Sequence, residues 1–302
     1  MKIELGVKSD PIHYRYSYDW LFDLMKDLDC RFLQLGSFPE MYTLEDGFFR
    51  SLKKRAELRG VVIRSCFSSY RELGGFLSGD SYLAKATWRN YERFIQIAAA
   101  LGADSVGSNL GSVCRDRMES KERGIETYLE NMKKLMALAC RQGLKFLAIE
   151  PMSSLAEPPS LPEEIDRILG ALEAYYRDHC EVTVPVFTCA DISHGVADKH
   201  GTVIHDNLSL FEYQIPYMAE FHFKNTDARF EATFGFSEEE RKNGIVDLAH
   251  VRSIIDRNRE RFPVDAMVGY LELCGPKLGR DYSDPALRGM IERSIEYIRE
   301  FL

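Results

Sequence analysis

The stretch CRQGLKFLAIEPM, residues 140–152, contains the elements that decide the fold. Gly143 follows a long amphipathic segment, and glycine is the residue that most often terminates a helix. Residues 146–149 form a short segment in which every residue is apolar, which is typical of a parallel strand covered on both faces. Glu150 comes directly after them. The stretch therefore predicts a helix end, a buried parallel strand and a carboxylate at the carboxyl end of that strand.

The same unit recurs along the whole chain. Short apolar or β-branched segments predict strands at Ile3–Val7, Phe32–Gly36, Val61–Cys66, Ser105–Ser108, Phe146–Ile149, Val184–Ala190, Glu220–Phe223 and Val268–Leu273. Amphipathic segments predict helices at Tyr18–Leu28, Gly47–Leu58, Tyr82–Leu101, Glu119–Arg141, Pro162–Asp178, Leu208–Tyr217, Leu248–Asn258 and Asp284–Phe301. Strands that alternate with helices in this way form parallel sheets covered by helices.

Eight strand–helix units favour a closed barrel over an open sheet. We expect an α/β fold, a parallel eight-stranded (β/α)8 TIM barrel, as one domain over residues 1–302. No Gly-x-Gly-x-x-Gly segment follows the first strand, which argues against a dinucleotide-binding fold. Residues 226–247 are long for a connection between a strand and a helix, and such connections often bind ligands.

Composition restricts the classes of function. The chain has 302 residues, 45% hydrophobic and 28% charged, with a net charge of −8. A net negative charge without basic runs argues against a nucleic-acid partner. No apolar run approaches the ~20 residues of a membrane span, and Met1 leads straight into a predicted strand, so we expect no signal peptide. Seven scattered cysteines indicate reduced thiols in a cytoplasmic protein.

Four consecutive strands in the second half each end near a potential metal ligand. Glu150, Asp191, His222 and Glu272 should meet at one rim, because the carboxyl ends of barrel strands lie together. Taken alone, each is more often a cap, a turn residue or a satisfied polar group. Three converging carboxylates would repel one another without a cation. Oxygen ligands with one imidazole predict one divalent ion, Mn²⁺ first, with Mg²⁺ or Co²⁺ as alternatives.

The motifs around these residues resemble those of a known family. FLAIEPM, CADISHG, FHFKNTD and GYLELCG are similar to motifs of the xylose isomerase-like TIM-barrel sugar isomerases and epimerases. The pattern is nearest to that of ketose 3-epimerases of the D-tagatose 3-epimerase type. The resemblance implies that Glu150, Asp191, His222 and Glu272 bind the metal and that His194 binds substrate oxygens.

The predicted site suits proton transfer next to a carbonyl. Glu150 and Glu272, expected on opposite sides of the barrel, are the natural acid and base for forming and reprotonating an enediolate. The expected substrate is a small ketose or keto-sugar, phosphorylated or not, and C3 epimerisation is the leading reaction. Aldose–ketose isomerisation needs the same groups.

Several further residues are candidates for substrate binding. Glu157 follows Glu150 closely and is either a substrate contact or a loop residue. Arg229 is either a substrate anchor or a solvated loop charge. Lys224 could bind substrate or neutralise the carboxylates. Three aromatic residues of the long loop could cover the sugar or pack against another subunit of a homo-oligomer: Phe230, Phe234 and Phe236.

Three alternatives compete with the isomerase prediction. A lyase on the same scaffold, such as an inosose dehydratase or a C-glycoside-cleaving catalytic subunit, also abstracts a proton next to a carbonyl. An endonuclease with three zinc ions would need histidines on strands three and four, whereas the first half of the chain contains only His13. A non-catalytic sugar-binding protein would be expected to lack one of the four ligands. The intervals of 41 residues from Glu150 to Asp191 and 50 from His222 to Glu272 predict unusual substrate-selecting loops.

Overall fold

Eight parallel strands close into a barrel in the computed structural model, which describes residues 1–302. The barrel strands are β1 (Lys2–Lys8), β2 (Phe32–Gly36), β3 (Val62–Phe67), β4 (Ser105–Ser108), β5 (Phe146–Ile149), β6 (Val186–Asp191), β9 (Met218–Phe223) and β10 (Ala266–Leu271). Two further short strands, β7 (Val196–Ala197) and β8 (Val203–His205), are not part of the barrel sheet. The order around the ring is β1, β10, β9, β6, β5, β4, β3 and β2. The predicted (β/α)8 barrel is confirmed.

Helices connect the barrel strands. They are α1 (Tyr18–Asp27), α2 (Asp46–Glu57), α3 (Ser81–Leu101), α4 (Lys121–Arg141), α5 (Pro162–His179), α6 (Asn207–Gln214), α7 (Glu238–Asn243), α8 (Leu248–Arg257) and α9 (Ala286–Arg299). The start of α5 at Pro162 is as predicted, and the Glu164 carboxylate accepts a hydrogen bond from the backbone of Ser160 at 2.9 Å. None of the helices has the length and apolar character required to cross a membrane.

Two short elements are absent from the sequence-based prediction. An antiparallel hairpin, β7 with β8, follows β6. Helix α7 lies within residues 226–247, which were expected to form a loop, and the side chains of Ser237 and Glu240 cap its N-terminus. Its sequence, EEERKN, is less than two turns long and contains no apolar residue, so it shows no apolar periodicity. Local capping, not an amphipathic face, defines this helix.

The chain divides into two compact units. The first consists of Met1–Gly36, Ser51–Ile63 and Ala190–Leu302, and the second of Ser37–Arg50 and Arg64–Cys189. The expectation of one domain over residues 1–302 stays a prediction.

Alternation along β9 builds the core of the first unit. Phe221 packs edge-on against Phe211 of α6, with 5.6 Å between ring centroids, and against Phe223 at 4.6 Å. A Cβ atom at Gly269 of β10 would lie 2.4 Å from the Phe223 ring, so the two large rings fit only because position 269 has no side chain. Successive side chains of a strand point to opposite faces. Packing of the two phenylalanines in the helix layer therefore turns His222 toward the barrel interior.

In the second unit, too, an aromatic ring packs directly against a glycine. Phe67, Ala148 and Cys189 form a buried cluster, and the Phe67 ring lies against Gly107 of β4. A Cβ atom at Gly107 would stand 2.3 Å from that ring and 3.1 Å from the Cβ of Ala148. The cluster is thus packed to the limit at this position.

We expect the substitution Gly107→Ala to lower the free energy of unfolding by roughly 1–3 kcal/mol, because the added methyl group overpacks the cluster. Urea unfolding measures the change. Gly170→Ala is the matched control, since no atom lies within 4 Å of a Cβ at that helical position. The control should stabilise α5 by roughly 0.5–1 kcal/mol. Equal stability of Gly107→Ala and the parent protein would contradict the packing described.

Candidate metal centre

Four residues from four adjacent barrel strands meet at one rim. One ligand atom from each of Glu150, Asp191, His222 and Glu272 lies within 4.8 Å of the others. Glu150 follows β5, Asp191 ends β6, His222 lies near the end of β9, and Glu272 follows β10. The strands β6 and β9 separate β5 from β10 in the ring. Glu150 and Glu272 are therefore three strand positions apart, and the expectation that they come from opposite sides of the barrel was wrong.

A contact of Nε2, the ring nitrogen turned away from Glu272, sets the orientation of His222. Nε2 lies 2.8 Å from Oε1 of the buried Gln34, and Nε2 of Gln34 lies 3.5 Å from Oε1 of Glu220. An amide that donates to Glu220 presents its oxygen to the imidazole, so Nε2 of His222 donates, and in the neutral form of the ring Nδ1 keeps its lone pair. Nδ1 lies 2.9 Å from Oε2 of Glu272. This contact is unfavourable for a neutral imidazole unless a cation is shared by both atoms.

Asp191 is completely buried between two nitrogen-bearing side chains. Its Oδ2 lies 2.8 Å from Nζ of Lys224 and 3.3 Å from Nε2 of His194. Nζ of Lys224 also lies 3.0 Å from Nε2 of His194, which accepts because an ammonium only donates. Burial would raise the pKa of Asp191, but His194 and Lys224 outweigh it and lower that pKa to about 2. Asp191 is therefore ionised at neutral pH.

Glu272 lies beside a lysine that the sequence analysis overlooked. Nζ of Lys8, at the end of β1, is 3.2 Å from Oε2 of Glu272 and 3.0 Å from Oδ2 of Asp10. Burial would raise the pKa of Glu272, but Lys8, followed by Lys224 and His222, holds that pKa well below its usual value. Lys8 stands at the carboxyl end of β1, just as the four proposed ligands stand at or near the ends of later strands, and this position was the signal in the sequence.

The residues present fit a hard divalent cation. Oδ2 of Asp191 and Oε2 of Glu272 are buried, and the ammonium groups of Lys224 and Lys8, 2.8 and 3.2 Å away, contact them as ion pairs without the angles of a hydrogen bond. Buried carboxylate oxygens normally have hydrogen-bond donors. Oxygens held in this way, with a neutral imidazole nitrogen beside them, are the ligands that Mn²⁺ and Mg²⁺ accept.

Glu157 and Arg229, two further predicted substrate residues, have different surroundings. Both carboxylate oxygens of Glu157 accept from the guanidinium of Arg71, at 2.6 and 3.0 Å. Arg229 is exposed, and its backbone nitrogen donates to Oδ1 of Asp227. Glu157 thus has a bidentate partner, while Arg229 extends from a loop that Asp227 organises. Substrate contact by either residue stays a prediction.

The three loop aromatics have different surroundings. Phe236 is buried and stacks on Tyr297 at 6.2 Å between centroids, so it belongs to the core. Phe234 lies where the backbone pairs with Asn225. The Phe230 ring fills the space that a Cβ at Gly195, next to His194, would occupy. Phe230 has a positive φ of 63°, an unusual conformation for a bulky residue. Phe230 therefore lies beside Gly195, the chain neighbour of the predicted substrate residue His194.

Comparison with known proteins gives the family. The model of the xylose isomerase-like TIM-barrel family matches residues 22–263. The chain belongs to this family. No curated protein sequence matches it significantly.

Solved structures share the family fold at low sequence identity. A provisionally assigned xylose isomerase from Rhodospirillum rubrum is 20% identical, with a TM-score of 0.79 and 99% of both chains covered. D-Psicose 3-epimerase from Clostridium cellulolyticum, solved with D-tagatose, is 12% identical, with a TM-score of 0.71 and coverage of 100% of this chain and 99% of that one. 3-Keto-D-glucoside 4-epimerase from E. coli is 11% identical, with a TM-score of 0.63 and coverage of 99% and 100%. The structural neighbours of this family member thus include sugar isomerases and epimerases.

Gln34 gives a direct test of the metal centre. The substitution Gln34→Leu removes the acceptor for Nε2 of His222, so the imidazole loses its fixed tautomer and orientation. We expect Mn²⁺ affinity, measured by calorimetric titration of metal-stripped protein, to fall roughly 10–100-fold. Gln96→Leu, at an exposed position of α3, is the control and should bind Mn²⁺ like the parent protein. Unchanged affinity of Gln34→Leu would show that Gln34 does not orient the ligand.

Proposed function

We propose that the protein is a divalent-metal-dependent isomerase or epimerase of ketoses or keto-sugars, with C3 epimerisation as its reaction. The observation that supports this most is the convergence of Glu150, Asp191, His222 and Glu272, with His222 held in the tautomer that leaves Nδ1 available. All four would hold the ion, which we propose to be Mn²⁺. When bound, the ion would supply polarisation of the substrate carbonyl and so acidify the adjacent C–H.

Glu272 and Glu150 would carry the proton. The pKa of Glu272 is held low, so its carboxylate is ionised and able to accept the proton from carbon at neutral pH. The electron pair of that C–H bond moves to the carbonyl oxygen, giving an enediolate. Glu150, in its protonated form, would return a proton to the same carbon from the other face and invert it. The reverse reaction exchanges the two roles.

His194 and Lys224 would bind substrate oxygens. Lys224 already donates toward His194, and both side chains lie against Asp191 at the rim. A sugar hydroxyl could accept from the ammonium while the imidazole accepts from a second hydroxyl. Such contacts would orient the carbon–hydrogen bond toward a carboxylate, which is the positional requirement for proton transfer. Phe230, resting on Gly195, would cover the less polar face of the sugar.

The structural neighbours support the substrate class. One acts on D-psicose and was solved with D-tagatose, and another acts on a 3-keto-glucoside. Free ketoses and sugars oxidised to a ketone share an acidic C–H beside a carbonyl. We therefore propose this shared unit, not a particular sugar, as the feature the enzyme recognises.

Solvent exchange tests the reaction. We expect incorporation of deuterium from D₂O at C3 of a ketose, within a panel of ketoses and keto-glycosides, to require Mn²⁺. Glu150→Gln and Glu272→Gln should each lower the exchange rate by roughly 10²–10⁴-fold, since each removes a proton-transfer group. Proton NMR of the recovered sugars measures the incorporation.

Glu130→Gln is the matched control for these substitutions, because Glu130 is an exposed residue of α4. It should leave the exchange rate unchanged. Exchange without any dependence on metal would contradict the proposed mechanism, and so would full activity of Glu150→Gln. Exchange at C1 would select aldose–ketose isomerisation over epimerisation, whereas elimination products would show a lyase.

A further inference from the structure

Lys8 is a buried cation at the edge of the proposed metal centre. Its side chain is 3% exposed, and its ammonium lies 3.0 Å from Oδ2 of Asp10 and 3.2 Å from Oε2 of Glu272. Lysine is almost never fully buried unless it is paired. The register of the sheet determines the position of Lys8, since Lys8 of β1 lies opposite Gln34 of β2.

The contact with Glu272 concerns the same oxygen that faces His222. Oε2 of Glu272 lies 2.9 Å from Nδ1 of His222, the nitrogen proposed to bind the ion. A cation held by Nδ1 and Oε2 would therefore stand close to the ammonium of Lys8. The ion and the ammonium of Lys8 carry charges of the same sign, and such charges repel each other appreciably at short distance where water is largely excluded.

We infer that Lys8 is a positioning residue that holds Glu272 at the rim of the metal-free protein and weakens the binding of the divalent ion. The inference rests on the proposed metal centre. In the metal-free protein Lys8 neutralises part of the charge that would otherwise push the carboxylates apart. When the ion is present, the same ammonium opposes it, so the affinity of the site is lower than its four ligands alone would give.

A purely structural ion pair would have different consequences. If Lys8 served only to bind Asp10 and close the end of β1, its loss would lower stability without changing affinity for the ion. If Lys8 acts as inferred, its loss must lower the stability of the metal-free protein and raise affinity for the ion. The direction of the change in affinity separates the two roles.

The experiment measures Mn²⁺ binding to metal-stripped protein by isothermal titration calorimetry, together with thermal unfolding with and without Mn²⁺. Lys8→Met keeps the aliphatic stem and removes the charge. We expect it to bind Mn²⁺ roughly tenfold or more tightly, because one repelling charge is lost. Its metal-free form should unfold at a lower temperature than the parent, and Mn²⁺ should raise its unfolding temperature by more than it raises that of the parent.

Three further variants make the result specific. Lys8→Arg keeps the charge and should retain the parental affinity. Lys2→Met removes an exposed lysine of the same strand, which pairs with Glu4, and should change nothing. Asp10→Asn removes the other partner of Lys8 and should weaken Mn²⁺ binding several-fold, which tests the inference even if Lys8→Met does not fold.

The outcomes separate this inference from the proposed function. If the parent protein binds no Mn²⁺, Mg²⁺ or Co²⁺, the proposed metal centre itself is wrong. If the parent binds Mn²⁺ but Lys8→Met binds it equally or more weakly, the metal centre stands and the role of Lys8 is overturned. Equal tightening by Lys8→Arg and Lys8→Met would also overturn it, because charge would then not be the cause.

Discussion

The repulsion between carboxylates gathered at one end of a closed barrel is the constraint on which the rest of the site depends. Parallel strands bring Glu150, Asp191 and Glu272 together because their carboxyl ends share one rim. Buried charges of one sign cost several kcal/mol each unless they are compensated. The buried ammonium groups of Lys8 and Lys224 lie against two of these carboxylates, and the oxygens of the same two could also hold a further cation.

Strand alternation lets the same segment build the core and the site. Phe221 and Phe223 of β9 pack with the helix layer, whereas His222 between them is turned inward and reaches Gln34. The register that pairs Lys8 with Gln34 then fixes both supports of the centre relative to each other. The tautomer of His222 is thus a consequence of strand order and register as well as of local sequence.

Much of this arrangement could be predicted from the sequence. The bounds of β2, β4 and β5 were correct to the residue, because each is a short segment that stands between two long amphipathic helical segments. The four proposed ligands were found because each stands at a strand end. Helix α7 and the hairpin of β7 and β8 were missed, because α7 has no apolar residue to mark a buried face and the two hairpin strands are only two and three residues long.

The role of Gln34, which supports His222, could not be predicted from the sequence, for a physical reason. Gln34 acts through a hydrogen bond to a residue 188 positions away in the chain, and only the closure of the barrel brings the two together. Glu150 and Glu272 were assigned to the right strands, but their separation around the ring was overestimated. An acid and a base must lie on opposite faces of the substrate, and this does not require them to come from opposite sides of the barrel. In the proposed reaction a sugar at the rim would present its two faces to carboxylates that follow strands three positions apart.

The low pKa of Glu272 connects the charge balance to the chemistry. A carboxylate stabilised by Lys8 and Lys224 is ionised at neutral pH, but the same stabilisation makes it a weaker base. A weak base removes a proton from carbon only when that proton has been made more acidic. In the proposed reaction the polarisation of the carbonyl by the ion would do this. In the proposed reaction the two kinds of positive charge would therefore act together: the lysines would keep the base ionised, and the bound cation would make the substrate acidic enough for that base.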